Sequence, residues 1–298
     1  MLALRERLNV RVALRRDAQL RLACSELGPW YGPLPVHQVD GLVGAIVRSI
    51  APAGGDIRIW APITPGAGLG GSGALCVALI YAIMQLREMQ LQTHELISLA
   101  MHIERDEFNS RVSIQDASAS ALGGMLRISI DESGKTTFRR ERELGSDFAR
   151  TIAPGLILID TGIRRAAKDV LAFVPPVADL HHEVQRLRAQ TTRIEAIIRA
   201  GDIRAYGQEL TRHWVAKRLY SIGITTPEID ALYDLGMSAG CFGGKLVGAG
   251  GGGHFLFAGN EPALSSLRRS ASSQGLTCGR VLAEDESGVR VEARIRTT

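Results

Sequence analysis

Two glycine-rich segments constrain this chain more than any other feature: Pro65-Gly66-Ala67-Gly68-Leu69-Gly70-Gly71-Ser72-Gly73 and Gly248-Ala249-Gly250-Gly251-Gly252-Gly253-His254. Glycine loses more backbone freedom on folding than any other residue, so clusters this dense mark backbone that bends sharply or lies against a ligand. The first segment runs into an apolar stretch, Ser72 to about Gln90, that reads as a largely buried helix through Leu75, Val77, Leu79, Ile80, Ile83 and Leu86. A helix that starts straight after such a loop presents unpaired N–H groups and the positive end of its dipole, which suits phosphate. The second segment runs into the strand-like His254-Phe255-Leu256-Phe257. Phosphate handling is therefore the first expectation.

Composition narrows the class without naming it. A chain of 298 residues, 45% apolar and 22% charged, can bury a sizeable core in one large domain or two ordinary ones. The formal charge of +4 admits an anionic substrate but falls short of a nucleic-acid partner. Cys24, Cys76, Cys241 and Cys278 form no CxxC pair and no metal-ligand spacing, as expected of reduced thiols. No apolar run approaches the ~18 residues of a membrane span, and no secretory segment follows the charged Met1–Arg7 start. The expectation is a cytoplasmic protein with no membrane partner, a monomer or homodimer.

Along the chain, residues 1–50 are poorly patterned, with arginines at 5, 7, 11, 15, 16 and 21 set among apolar residues. Asp56–Pro62 alternates as a strand does. Thr93 is a plausible N-cap, with Glu95 in the first turn, for a helix through about Phe108. On that helix Ile97, Met101 and Glu104 share one stripe, so one carboxylate ends an otherwise apolar face. Leu156–Ile159 reads as a buried strand before the Asp160-Thr161-Gly162 turn. From about Val177 to Gly240 the pattern is helical, broken at Gly201-Asp202, restarted at Thr226-Pro227 and closed by Gly240. A last helix is expected near 261–274. Strands, then helices, then strands predict an α+β architecture with domains at 1–165 and 166–298.

Both glycine segments fit G-x-G-x-x-G, but a dinucleotide fold also needs an acidic residue ~20 positions on that ends a second strand. Glu88 is near that distance and lies inside the helical pattern. Lys245 is followed by Leu246, so there is no Walker A loop either. What discriminates is the combination of the first loop with Glu104 and Asp116, twelve positions apart, and the second loop.

These motifs resemble the GHMP kinase superfamily. Its PxxxGLGSSxA loop cradles ATP phosphates, and the matching positions here are Gly66, Gly68, Leu69, Gly70, Gly71, Ser72 and Gly73, with Gly71 in place of the first serine. The resemblance implies ATP and Mg2+ as cofactors, Mg2+ on Ser72 and Glu104, and Asp116 as the catalytic base. It also implies a ribosomal-protein-S5-like first domain and a ferredoxin-like second domain with the site between them. Within the superfamily, His102–Arg105, Gln115-Asp116, Gly123-Gly124, Thr161–Ala166 and Gly243–Leu246 look like kinases of D-glycero-D-manno-heptose 7-phosphate. Gly248, Gly250, Gly251, Gly252 and Gly253 match the family's third motif on the substrate side. Arg164, Arg165 and Lys168 are candidates to grip a substrate phosphate or are surface charge, and Lys245 pairs with a phosphate or with a carboxylate.

The expected activity is phosphorylation of the anomeric hydroxyl of the heptose 7-phosphate to the 1,7-bisphosphate, for nucleotide-activated heptose synthesis. The alternatives are a kinase for galactose, fucose or a mevalonate-type alcohol, or a weakly catalytic nucleotide- or sugar-binding protein. The likeness covers residues 56–298 and breaks before them. Leu8–Leu14 has the cadence of the family's first strand, with Arg11 as its basic residue, but Arg15-Arg16-Asp17 stands where a GGGTD-like loop belongs. Ala117 replaces the glutamine that commonly follows the aspartate. Either the chain lacks its natural N-terminus or it is a diverged, weakly active member.

Overall fold

The first 50 residues, for all their weak periodicity, supply three of the four strands of a sheet. Strands β1 (Asn9–Leu14), β2 (Gln19–Ala23) and β3 (Tyr31–Pro35) join β4 (Gly54–Trp60) in the order β1-β4-β2-β3. The β2–β4 pairing is parallel and the two outer pairings are antiparallel. The arginines that blur the pattern are tied to this sheet. Arg21 stands opposite Asp56 in the parallel ladder and donates to it at 2.9 Å; Arg15 donates to the same carboxylate at 3.1 Å. Those hydrogen bonds hold Asp56 below the usual carboxylate range. Trp30 lies under the guanidinium groups of Arg58 and Arg21, at 4.5 and 5.2 Å.

The computed structural model describes residues 1–62, 64–108, 114–165, 170, 181–219, 223–281 and 287–292. They fall into two compact units, one drawn from 1–64, 70–140 and 284–298, the other from 65–69 and 141–283.

In the first unit, α1 (Gly41–Ile50), α2 (Gly71–Leu86), α3 (Thr93–His102) and α4 (Ile114–Leu122) share one apolar core with the sheet. Ile46, Ile57, Leu79, Ile80, Ile83, Leu96, Ile97 and Ile103 are fully buried there. Helix α2 has almost no polar face, because core side chains meet it nearly all round. The helix α3 is capped by Gln92 and Glu95 in a capping box, so Thr93 is its first residue and not its cap. It ends in a wider π turn, Ile103–Glu107. A hairpin of β5 (Leu126–Ile130) and β6 (Thr136–Arg140) completes this unit.

In the second unit, β7 (Leu156–Asp160), β8 (Gly243–Leu246), β9 (His254–Ala258) and β10 (Cys278–Arg280) form an antiparallel sheet in the order β10-β7-β9-β8. The short α5 (Arg142–Asp147) precedes it in the chain; α6 (His181–Ala200), α7 (Ile203–Arg218), α8 (Pro227–Ser238) and α9 (Glu261–Ser273) follow β7. Start signals work as the sequence predicts. Thr226 accepts from the Ile229 amide ahead of Pro227, and Gly240 closes α8 at φ 90°. Trp214, Phe255 and Phe257 centre the core, with the last two rings stacked at 4.5 Å. Strand β7 pairs with β9, so the compact units change over at Arg140/Glu141, ahead of the 165 boundary read from the sequence.

Among the described residues, no helix is long and apolar enough to cross a membrane. No group of three or more His, Cys, Asp or Glu gathers to hold a metal, and the four cysteines are free thiols.

Candidate functional site

In the first unit the catalytic candidates meet at the leading end of α2. Gly70 caps this helix in the left-handed conformation at φ 77°, with no side chain bonded to the cap. The first intrahelical bond runs from the Ala74 amide to the Gly70 carbonyl at 3.0 Å. The amides of Gly71, Ser72 and Gly73 therefore have no partner further back in the helix. Gly71 and Ser72 are exposed, and a side-chain carbon on Gly71 would meet nothing within 4 Å. This is the geometry of an anion cradle: free N–H groups at the positive end of a long helix, with open space before them.

Asp116 comes to that point from the first turn of α4. A Cβ on Gly70 would stand 3.1 Å from the Asp116 Cγ, and one on Gly73 would stand 2.7 Å from its Cβ. Glycine is thus required at both places for the carboxyl to sit against the helix end. Glu104 arrives from the π turn after α3. It is only 4% exposed and accepts a hydrogen bond from the Ser72 hydroxyl. Burial, opposed by the Ser72 bond and reinforced by the Asp116 charge, raises the Glu104 pKa. Asp116 keeps part of its surface open to solvent, yet the protein around its carboxyl raises its pKa as well.

No cation among the described residues offsets either shift. Arg11, the candidate basic partner, stands opposite Arg58 in the β1–β4 ladder with its guanidinium 5.9 Å from the Trp60 ring. Two carboxylates and a hydroxyl, all oxygen donors in a region of uncompensated negative charge, fit a hard divalent cation such as Mg2+.

The second unit holds the other half of the predicted residues. Pro65–Leu69 belongs to it and lies against the second glycine loop. The His254 ring bonds the Ala67 carbonyl at 2.9 Å. A Cβ on Gly253 would stand 2.5 Å from that same carbonyl, and one on Gly248 would stand 2.6 Å from the Gly68 carbonyl. The backbones are in van der Waals contact, which only glycine permits. Gly250, Gly251 and Gly252 pack as closely on Ile224, Gly223 and Ile163. These glycines order the first loop and are not themselves open to a ligand in the way Gly71 is.

Arg165 lies beside Gly66, whose Cβ would stand 3.3 Å from its carbonyl. Arg164 forks onto Asp160 at 2.7 and 2.5 Å, so its charge is already met. Lys245, on β8, is half-buried, and burial lowers its pKa to about 8. Lys168 lies outside the described residues, as does the Val112-Ser113 segment before Asp116. Lys217 was not singled out by any sequence pattern. It closes α7 and donates to the Gly248 carbonyl. Only its place one turn after His213, on a helix leading toward the glycine loop, hinted at it.

Comparison with known proteins agrees with this geometry. The family model for the GHMP kinases N terminal domain matches residues 39–124, and that for the GHMP kinases C terminal matches 194–275. A mevalonate kinase of Aeropyrum pernix is 30% identical over 268 residues, covering 82% of this chain and 77% of its own length. A D-glycero-alpha-D-manno-heptose 7-phosphate kinase of Campylobacter jejuni is 26% identical over 205 residues, covering 67% of this chain. The chain spans 60% of that relative's length. The crystal structure of a D-glycero-D-manno-heptose 1-phosphate kinase from Bacteroides thetaiotaomicron superposes with a TM-score of 0.72 at 14% identity, over 96% of this chain and 87% of the other.

Proposed function

Since this chain belongs to the GHMP kinase family, we propose that it transfers the γ-phosphoryl group of ATP to a sugar hydroxyl. The acceptor we favour is D-glycero-D-manno-heptose 7-phosphate, phosphorylated at its anomeric hydroxyl to the 1,7-bisphosphate in the cytoplasm. The similarity to a kinase of that name in C. jejuni supports this acceptor. The observation that carries the phosphoryl-transfer function is the seat of Asp116 against the open amide end of α2, with the Ser72–Glu104 pair alongside.

Phosphoryl transfer asks a protein mainly to position its reactants and to stabilise charge. The Gly71, Ser72 and Gly73 amides would bind the phosphate oxygens of the donor. Ser72 and Glu104 would hold Mg2+, which when bound neutralises charge on those oxygens. Asp116 would take the proton of the acceptor hydroxyl as its oxygen attacks the γ-phosphorus. The bond from that phosphorus to the bridging oxygen breaks, and ADP leaves with the electron pair. A carboxyl whose pKa lies above the usual range holds the proton better than an ordinary aspartate would, which suits a general base.

The test is ADP release measured with a panel of acceptors: heptose 7-phosphate, galactose, fucose and mevalonate. Turnover of the heptose phosphate above the others is the expected result. Preference for mevalonate would favour the second reading, to which the 30% identity with a mevalonate kinase lends weight. ATP binding without turnover of any acceptor would leave a non-catalytic nucleotide- or sugar-binding protein.

A further inference from the structure

Cations crowd beside the second glycine loop, wholly within the second unit. Lys217 donates to the Gly248 carbonyl from the last turn of α7. Lys245 precedes that glycine by three residues on β8. The Arg165 side chain reaches the same loop, its Cδ 3.7 Å from where a Cβ on Gly251 would stand. His213, one turn before Lys217, has a buried Nδ1 with no hydrogen-bond partner among the described residues.

The charges sense one another. Burial, then Lys245 and Arg165, push the Lys217 pKa down to about 7. Burial, then Lys245, Lys217 and Arg186, push His213 down to about 3, so the imidazole stays neutral. Among the described residues neither Lys217 nor Lys245 has a carboxylate in ion-pair reach. Arg164, by contrast, is matched by Asp160. Positive charge gathered without a counter-charge at a rigid loop is stable in company with an anion.

We infer that Lys217, Lys245 and Arg165 form a receptor for a phosphate monoester on the acceptor, which makes the acceptor a sugar phosphate and not a neutral sugar. That the phosphate belongs to an acceptor rests on the kinase function proposed above; that a phosphate binds here rests on the cluster alone. A carboxylate-bearing alcohol carries one charge and can engage one lysine. A phosphomonoester carries about −1.5 to −2 at neutral pH and three acceptor oxygens, which matches three cationic donors.

The test is calorimetric titration of the full chain with mannose 6-phosphate, mannose, inorganic phosphate and ADP. Mannose 6-phosphate and inorganic phosphate should bind, and mannose should not. Lys217→Met and Lys245→Met should each weaken mannose 6-phosphate about tenfold or more, the scale of one charge-assisted hydrogen bond, with ADP affinity kept within about twofold. Lys217→Arg should retain most of the binding, which separates lost charge from lost folding. Equal binding of mannose 6-phosphate by the wild type and both Met variants would overturn the receptor. So would a parallel loss of ADP affinity, which would give the cluster to the nucleotide. If mannose 6-phosphate binds through these lysines and no acceptor is turned over with ATP, the receptor stands and the kinase reading fails.

Discussion

The two units gather like charges of opposite sign. In the first, Glu104 and Asp116 share the end of α2 and both carboxyls hold their protons more tightly than usual. In the second, Lys217 and Lys245 share the glycine loop and both ammonium groups release theirs more easily. Elsewhere the protein pairs its charges: Asp56 with Arg21 and Arg15, Arg164 with Asp160, Glu209 with Arg193. Unpaired crowding is thus confined to two places. The lesson is that folding stability was not what placed these residues; each group is completed by a ligand of the opposite charge.

The sharpest way to break the comparison is to remove Asp116. If it acts as the base, Asp116→Ala should lower kcat about 10²–10⁴-fold, read by ADP release. A variant with unchanged kcat would strip the acidic cluster of its chemical role and leave only its charge.

The next effect is steric. In Gly73→Ala the added carbon would stand 2.7 Å from the Asp116 Cβ and 3.0 Å from the Ala117 amide. Overpacking of this kind costs about 1–3 kcal/mol, measured as a shift in the urea midpoint. It should also lower kcat by moving the carboxyl. The same change at Gly71, where nothing lies within 4 Å, should cost no more than a few tenths of a kcal/mol.

The two clusters should respond to pH as mirror images. A raised carboxyl pKa means that stability is fully present below the ordinary value near 4.5 and is lost as pH rises through the folded value. Glu104→Gln should therefore match the wild type near pH 4 and melt higher at neutral pH, by ~2–4 °C for each kcal/mol relieved. Lys217 runs the other way: its stability is present above the ordinary value of 10.5 and is lost as pH falls through about 7. Lys217→Met should melt higher than the wild type near pH 6 and lose that advantage toward pH 10. If both variants shift Tm in the same direction with pH, the comparison fails.

The smallest effect belongs to a paired charge. Arg164→Ala removes a half-exposed fork onto Asp160, and such pairs contribute about 0–1 kcal/mol. Acceptor KM should change less than about twofold. A large rise would return Arg164 to the phosphate-gripping role that its ion pair argues against.

Much of this was legible in the sequence, and for identifiable reasons. Apolar periodicity located α2 and β7, and cap chemistry at Thr226-Pro227 and Gly240 bounded α8 within a residue. The first loop, Glu104 and Asp116 were found because their spacing matches a family, and α2, the π turn and α4 do carry them to one point. Three things were not legible. Strands β1 to β3 lie in a region where arginines interrupt the alternation, and only the register shows that Arg21 falls opposite Asp56. The π turn is invisible to a helical pattern, since it leaves the residue types unchanged. Lys217 gives no local signal because its neighbours Lys245 and Arg165 come from distant parts of the chain.

The π turn has a consequence for how this site can change. Successive residues of an α-helix point about 100° apart, and a π turn accommodates one residue more than an α turn does. Glu104 owes its buried heading, toward Ser72, to that single additional residue in Ile103–Glu107. Deleting one codon there would swing the carboxylate roughly a quarter of a circle around the helix without altering any side chain in the cluster. A one-residue deletion is among the commonest small edits a gene undergoes, so acquisition or surrender of the acidic pair lies a single event away.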